Sequence, residues 1–269
     1  MPLAVCATPI GNLSDVTLRV LDELRAADLV LCEDTRRTRV LLDRHGVSST
    51  LLSYQRHNEA ARTAQVLERL RSGERVALVS DAGLPGVNDP GGRLIAGAVA
   101  EGIDVTVIPG PSAVETALVV SGLVADRFQF VGYLPRRAPE LRSLGAELRS
   151  WAGAVVAFES PRRLPASLHV LAEELPGRAA AVCRELTKRF EEVARGPLEE
   201  LAARFAEPPR GEITLVLGAW SPPTSNLTED AARAAVAELV EAGAGRRAAA
   251  DVVSRLTGTS RNELYRGSL

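Results

Sequence analysis

The order of apolar runs constrains this chain most. Short apolar stretches of strand length alternate with stretches of helical period five times before Ser121. Leu3–Ala7, Leu29–Cys32, Leu51–Ser53, Val76–Ser80 and Val105–Ile108 read as strands. Between them, Val20, Leu21 and Leu24 share one helical face, Val40–Leu42 lie in a helix that stops at His45-Gly46, and Val66, Leu67 and Leu70 mark a third helix. Asn58 is placed to cap that third helix and Gly73 to end it in a left-handed position. Leu94, Ile95, Ala98 and Val99 are the expected buried face of the fourth, closed by Gly102, and Pro109-Gly110-Pro111-Ser112 opens a fifth. Strand and helix alternating in this way predict an α/β fold, a mainly parallel sheet with helices on both faces.

Gly122–Arg127 interrupts the alternation, and the pattern then restarts. Phe128–Val131, Ala154–Phe158, Ala179–Cys183 and Ile213–Leu217 are the expected strands of a second half. Helices are expected near Glu140–Arg149, around Leu164, Leu168 and Leu171, and around Leu198, Leu201 and Phe205. Ser221–Asn226 reads as a linker, and Leu227–Leu269 as two or three short helices with Thr228 as N-cap. The expected division is an N-terminal α/β domain over 1–121, a second α/β domain over 122–221 and a helical extension over 222–269.

Composition sorts the possible functions. No apolar run approaches the ~18 residues that span a bilayer, and Met1-Pro2-Leu3-Ala4 carries no basic n-region of a secretory leader. A cytoplasmic protein without a membrane partner is expected. Cys6, Cys32 and Cys183 are odd in number and form no CxxC, and His45, His57 and His169 are scattered, so no metal site is expected. Aromatic residues are 4% and the net charge is -2, which disfavours a stacking-type or broadly electrostatic nucleic-acid binder. Among 32 basic residues, however, only Lys188 is lysine. Codon bias accounts for an arginine excess but not for its placement. The pairs Arg36-Arg37, Arg136-Arg137 and Arg162-Arg163 each follow an expected strand, where arginine forks suit phosphate. Arg246-Arg247 falls in the helical tail.

Ligands of such a sheet bind beyond the carboxyl ends of its strands. The segments there are Thr8–Asp15, Glu33–Arg37, His57–Glu59, Asp81–Gly91 and Pro109–Ala113, all rich in polar, Gly and Pro residues. No GxGxxG follows the first strand and no GxxxxGK[ST] occurs. Pro9 and Pro85 remove backbone donors that a phosphate cradle needs, whereas Gly11, Gly83 and Gly86 allow close backbone approach to a bulky ligand.

Ala7–Leu13, Glu33–Arg36 and His57–Glu59 together resemble the ribosomal small-subunit RNA (cytidine-2′-O) methyltransferases of the tetrapyrrole methylase superfamily. Asp81–Gly91 resembles that family's D-A-G-T-P-x-I-x-D-P-G loop, with Leu84, which carries no hydroxyl, at the usual threonine. Pro109–Ala113, Phe158–Arg163, Arg184–Lys188, Gly211–Ile213 and Arg261–Tyr265 match in order, so the resemblance covers nearly the whole chain. It implies two α/β domains with S-adenosylmethionine (AdoMet) in the cleft between them, usually in a homodimer, plus the C-terminal extension. Carried over by motif, the first-half cofactor residues are Pro9, Gly11, Gly83, Leu84, Pro85 and Val87, with Ser112 and Ala113. Phe158, Leu186 and Glu212 join them from the second half. The implied activity is 2′-O-methylation of a cytidine in 16S rRNA of the small subunit.

A ribose 2′-hydroxyl is a poor nucleophile at neutral pH, so a positioned base is needed. The candidates are Glu33, Asp34, His57 and Glu59, with Glu185 from the second half. Two other functions compete: methylation of a tetrapyrrole in the same fold, and a non-catalytic RNA-binding or ribosome assembly factor. Glu33–Arg36, His57–Glu59 and the extension favour the RNA branch, and the cofactor loops argue against a non-catalytic role.

Overall fold

The computed structural model describes residues 2–219 and 229–267. The chain splits into two compact units: Met1–Ala146 with Gly153–Ala219, and Glu147–Ala152 with Trp220–Leu269. The expected linker Ser221–Asn226 and the Thr228 cap lie outside the described residues.

The first unit contains two five-stranded sheets. Strands β1 (Leu3–Cys6), β2 (Leu29–Cys32), β3 (Leu51–Ser53), β4 (Val76–Val79) and β5 (Val105–Ile108) form the first, in the order β3-β2-β4-β1-β5. Every pairing in it is parallel. Helices α1 (Leu18–Ala26), α2 (Thr35–Arg44), α3 (Glu59–Arg71) and α4 (Gly92–Ala100) connect the strands. Thr17 starts α1 by accepting the Val20 N–H at 3.2 Å, and Asp34 starts α2 by accepting the Arg36 N–H at 2.9 Å, each satisfying a first-turn donor.

Strand residues alternate between the two faces, as a period of two requires. Ala4, Cys6, Val30, Cys32, Ala77 and Val79 pack with Val20, Leu21 and Leu24 of α1 and Leu42 of α2. Leu3, Val5, Leu29, Leu31, Val76 and Leu78 pack with Val66, Leu67 and Leu70 of α3 and Leu94 and Ala98 of α4. The chain leaving β1 therefore turns to one face and the chain leaving β4 to the other. These two strands are neighbours, so a crevice opens beyond their carboxyl ends. This is the topological switch point at which open α/β sheets bind ligands.

The second sheet combines β6 (Phe128–Tyr133), β7 (Ala154–Glu159), β8 (Ala179–Arg184), β9 (Glu192–Pro197) and β10 (Ile213–Leu217) in the order β6-β7-β10-β8-β9. Only β6 and β7 run parallel; β10 is antiparallel to β7 and β8, and β9 to β8. Helix α5 (Ala113–Ser121) links the sheets, and its Val114, Ala117 and Leu118 pack on Ala154, Val156, Ala181, Cys183 and Val216. Helices α6 (Ala138–Leu148), α7 (Leu164–Glu174) and α8 (Leu198–Arg204) complete the connections.

In the second unit, α9 (Glu229–Glu241), α10 (Arg246–Thr257) and α11 (Arg261–Gly267) bury Ala232, Val236, Ala249, Ala250, Val253 and Leu264 together. Arg246 and Arg247 form the first turn of α10. No helix among the described residues is long and apolar enough to cross a membrane.

Three local expectations are corrected. Strand β9 occupies Glu192–Pro197, a stretch read as connection; its edge position buries only Ala194. Val99 of α4 is 62% exposed, because it lies off the Leu94–Ala98 stripe. Asn58 precedes α3 but makes no side-chain cap; its Oδ1 accepts the Gln55 N–H at 2.8 Å instead.

Candidate active site

A cleft of about 300 Å³ opens at the switch point. Thr8, Pro9, Ile10 and Gly11 after β1 line it, as do Ser80, Asp81 and Ala82 after β4, and Arg37, Thr38 and Leu41 from α2. Lys188 and Glu212 close it from the second sheet. Two backbone hydrogen bonds, Thr8 N–H to Gly83 O at 2.8 Å and Gly83 N–H to Thr8 O at 3.0 Å, fix the first two loops to each other. The Thr8 hydroxyl adds a bond to Ser80 O at 3.0 Å.

Gly11 is needed by close approach. A Cβ there would lie 2.5 Å from Lys188 Cγ and 2.9 Å from Leu186 O. The Asn12 N–H donates to Thr187 Oγ1 at 3.1 Å, so the first loop is seated against the 185–188 segment. A second seam joins Asn88 to β6, where a Cβ on Gly132 (φ +72) would lie 3.1 Å from Asn88 Oδ1. Arg56 steadies the same loop by donating to Asn88 O at 2.7 Å.

The candidate bases separate by environment. Asp34 accepts two bonds from the Arg36 guanidinium, at 3.2 and 3.0 Å, as well as the backbone N–H that makes it the cap of α2. These hydrogen bonds hold its carboxyl below the usual range, making it a poor proton acceptor. Glu185 accepts the Lys188 ammonium and the Glu212 N–H, each at 2.8 Å on the same oxygen, and is lowered by them. Glu59 accepts the Gly91 N–H at 3.1 Å and so anchors the end of the 81–91 loop to α3. His57 stands exposed in the turn before α3 and makes no hydrogen bond to described residues. Glu33 is different. Burial and the Asp81 charge raise it, with Arg56 and Arg37 opposing.

The residue that sequence reasoning passed over is Asp89. Burial, then the charges of Glu33 and Asp81, push its carboxyl up to about 6, while Arg56 and a hydrogen bond from Ser80 hold it back. Its place in the loop after β4 was the available signal. Asp81 itself receives the Asp34 N–H at 3.0 Å and the Arg37 guanidinium at 3.4 Å. Among the described residues, no three His, Cys, Asp or Glu side chains are arranged to hold a metal ion.

The residues carried over for the cofactor divide as well. Pro9, Gly11 and Glu212 line the cleft, and Gly83 supports it through Thr8. The Leu84 side chain packs on the core beneath α3 and α4, and Pro85 is buried. Ala113, Phe158 and Leu186 pack in the core around α5, so those side chains meet protein more than open space. Val87 is half-exposed, and the Ser112 hydroxyl bonds Glu115 at the start of α5. Phe158 is also the centre of an edge-to-face aromatic row, 4.9 Å from Phe130 and 5.5 Å from Tyr133.

Of the arginine pairs, Arg36 and Arg37 are 89% and 63% exposed beside the cleft despite their carboxylate partners. Arg136, Arg137 and Arg162 are exposed after β6 and β7. Arg163 is corrected: its guanidinium is taken up by the buried Glu159 and by Leu134 O at 3.1 Å, so it braces the β7–α7 turn.

The profile described as Tetrapyrrole (Corrin/Porphyrin) Methylases matches residues 2–202. The chain belongs to this family. Among curated relatives, this tetrapyrrole methylase is 43% identical over 265 residues to "Ribosomal RNA small subunit methyltransferase I" of Micromonospora olivasterospora, covering 98% of this chain and 85% of that protein. It is 47% identical over 173 residues to the protein of the same name from Mesorhizobium japonicum, covering 64% of this chain and 59% of that one. In that second comparison the match thus spans less than two thirds of the relative's length. Among solved structures, uroporphyrin-III C-methyltransferase of Thermus thermophilus, complexed with S-adenyl homocysteine, superimposes with a TM-score of 0.56 at 19% identity. That match covers 81% of this chain and 97% of the other, and establishes the fold shared by the two methylases.

Proposed function

We propose that this chain transfers the methyl group of AdoMet to the 2′-hydroxyl of a cytidine ribose in 16S rRNA of the small ribosomal subunit. The observation that carries the reading is the composition of one cleft. It sets carboxylates, Asp81 and Glu212 in its lining with Glu33 and Asp89 coupled to Asp81, beside the cations Arg37 and Lys188. A ribose hydroxyl needs the first and its phosphates need the second. Methylation of a tetrapyrrole is the weaker reading, because the uroporphyrin enzyme is only 19% identical and the ribosomal RNA relative is 43% identical over 98% of this chain.

AdoMet fits the donor set. It carries no phosphate, and the switch point has prolines where a phosphate cradle would need N–H donors. Apolar Pro9, Ile10 and Leu41 suit its adenosine, and Asp81 and Glu212 suit its positive charges. Gly83, Leu84, Pro85, Val87, Ser112, Ala113, Phe158 and Leu186 complete the proposed binding loops, the buried ones through their backbone. Bound there, AdoMet supplies a methyl carbon already activated by its sulfonium. The protein's task is to align the hydroxyl with that carbon and to take its proton. Asp89, with Glu33 beside it, is the proposed proton acceptor. Asp34 and Glu185 are occupied by cations and serve as braces.

Mass spectrometry of small-subunit RNA from cells lacking the protein tests the reaction. One 2′-O-methylcytidine is expected to disappear and to return on treatment with purified protein and AdoMet. An unchanged set of modifications overturns the proposal. Replacing both Arg36 and Arg37 by Ala is expected to weaken binding to the small subunit on the order of tenfold, from ~0.7 kcal/mol per exposed ion pair, with AdoMet affinity retained. Equal losses in both titrations count against a phosphate role. The resemblance also implies a homodimer working in the cytoplasm, and sedimentation of the purified chain tests the first of these.

A further inference from the structure

We propose that Lys188 holds a phosphate oxygen of the target nucleotide inside the cleft. This rests on the reading of the chain as an RNA methyltransferase and assigns a residue that the reading leaves open.

Lys188 is the only lysine among 32 basic residues, and the backbone around it is unusual. Glu185 and Thr187 adopt φ of +53° and +65° although neither is glycine. Such positions are unfavourable for residues with a Cβ and persist where surrounding structure imposes them. Here it does. The Thr187 N–H bonds Glu191 Oε2 at 2.6 Å, and Gly11 seats the stem of Lys188. The result is a side chain that lines the cleft with its ammonium fixed.

That ammonium donates to Glu185 Oε1 and Glu212 Oε2, both at 2.8 Å. Burial opposes its charge, but these bonds outweigh burial and raise it above the ordinary lysine range, so it stays cationic. An ammonium has three donors, and these two bonds leave one available. Arg37 lines the same cleft and reaches Asp81 only at 3.4 Å. Two cations, Lys188 after β8 and Arg37 of α2, thus border a cleft whose other charged lining residues are Asp81 and Glu212.

The chemistry of ribose selects the anion. The 2′-hydroxyl and the 3′-phosphate sit on adjacent ring carbons, so delivering the hydroxyl to Asp89 brings a phosphate with it. Asp81 and Glu212 in the lining would repel that phosphate unless a fixed cation met it. AdoMet carries a net positive charge, and its ammonium and sulfonium suit the acidic side chains Asp81 and Glu212. The compact ammonium sits where the stem lies against Gly11 and the head between two carboxylates.

The test uses the full-length protein with purified small subunits. Lys188→Met keeps the stem packed against Gly11 and removes the charge. Its affinity for the subunit is expected to fall about tenfold near 0.1 M salt, and the slope of log affinity against log salt to shrink by about one. AdoMet affinity by calorimetry is expected to stay at the wild-type value, which also reports a folded cleft. In a second variant, Lys188→Cys, alkylation with 2-bromoethylamine rebuilds a lysine-like ammonium and is expected to restore the slope. Cys6, Cys32 and Cys183 are buried, and burial pushes the Cys6 and Cys183 thiols up to about 12, so they are shielded from the reagent. An unchanged slope in Lys188→Met, or a loss of AdoMet affinity in its place, overturns the assignment. If the wild-type protein methylates no subunit, the reading of function falls and takes this with it. If it does methylate while the slope is unaltered in the variant, this assignment falls alone.

Discussion

Asp89→Asn is expected to slow methylation by about 10²–10⁴-fold, the range for removing a positioned general base, while raising the melting temperature at neutral pH. Both effects come from one environment. The carboxyl lies at about 6 because burial and the neighbouring Glu33 and Asp81 charges disfavour its ionised form. A base with that value is mostly unprotonated at neutral pH and still binds a proton well. The wild-type rate is therefore expected to rise as pH increases through about 6 and to level off above it. Stability runs the other way. Protonated Asp89 is stabilising below its unfolded value of about 4, and that contribution is lost as pH rises through about 6. Asparagine, neutral throughout, keeps it. The two proteins should melt alike near pH 4 and diverge above pH 6, with Asp89→Asn higher. Single-turnover methylation together with melting curves checks both. An Asp89→Asn protein with wild-type turnover would remove Asp89 as the base and leave Glu33 as the nearest alternative.

The largest effect on stability is expected at Arg178. Its side chain is 1% exposed. It donates to Gly218 O at 2.9 Å and to Gly153 O at 3.1 Å, while its own carbonyl accepts the Leu198 N–H at 3.0 Å. Burial draws the guanidinium down to about 10, so it remains charged at neutral pH. The fork therefore staples the residue before β7 to the residue after β10, at the edge of a core with little access to water. Arg178→Met fills the stem's space but leaves carbonyls unsatisfied, at ~1–3 kcal/mol each. A loss of about 3 kcal/mol is expected, which for a body of this size lowers the melting temperature by roughly 6–12 °C. Urea titration of the variant measures it directly, and a loss below about 1 kcal/mol would show that water or neighbouring groups replace the guanidinium. Activity per folded molecule should be unchanged.

The first sheet was legible because its strands are short apolar runs, the three central ones buried throughout, separated by helices with clear stripes. Leu29–Cys32, Leu51–Ser53 and Val105–Ile108 fall where the apolar runs place them. β9 was not legible. Glu192–Pro197 alternates weakly, ends in Gly-Pro and is held chiefly by backbone pairing to β8 at a sheet edge. The antiparallel turn of the second sheet was hidden too, since strand direction is set by pairing across tens of residues. For the site, sequence pattern located the loops but could not rank the carboxylates within them. Asp34, two residues before Arg36, is lowered by that partner, whereas Asp89, with no adjacent acid in sequence, is raised by burial, by Glu33 from another loop and by Asp81 from the start of its own. Arg163 and Arg162 are adjacent in sequence, yet only Arg163 meets the buried carboxylate of Glu159.

The position of β1 has a consequence for synthesis. Strand β1, made before the other four strands of its sheet, sits between β4 and β5, and Leu3 pairs with both Val76 and Val105. The apolar segment Leu3–Cys6 must therefore wait until roughly a hundred further residues have emerged. At about 5–20 residues per second this is on the order of 5–20 s. Through that interval a fully apolar strand stays exposed beside the translating ribosome. Helix pairs that form from local contacts alone would not shield it. This part of the chain thus depends on nascent-chain protection until β5 is released, and a truncation ending before Val105 is expected to aggregate, whereas one ending after α5 can close the first sheet.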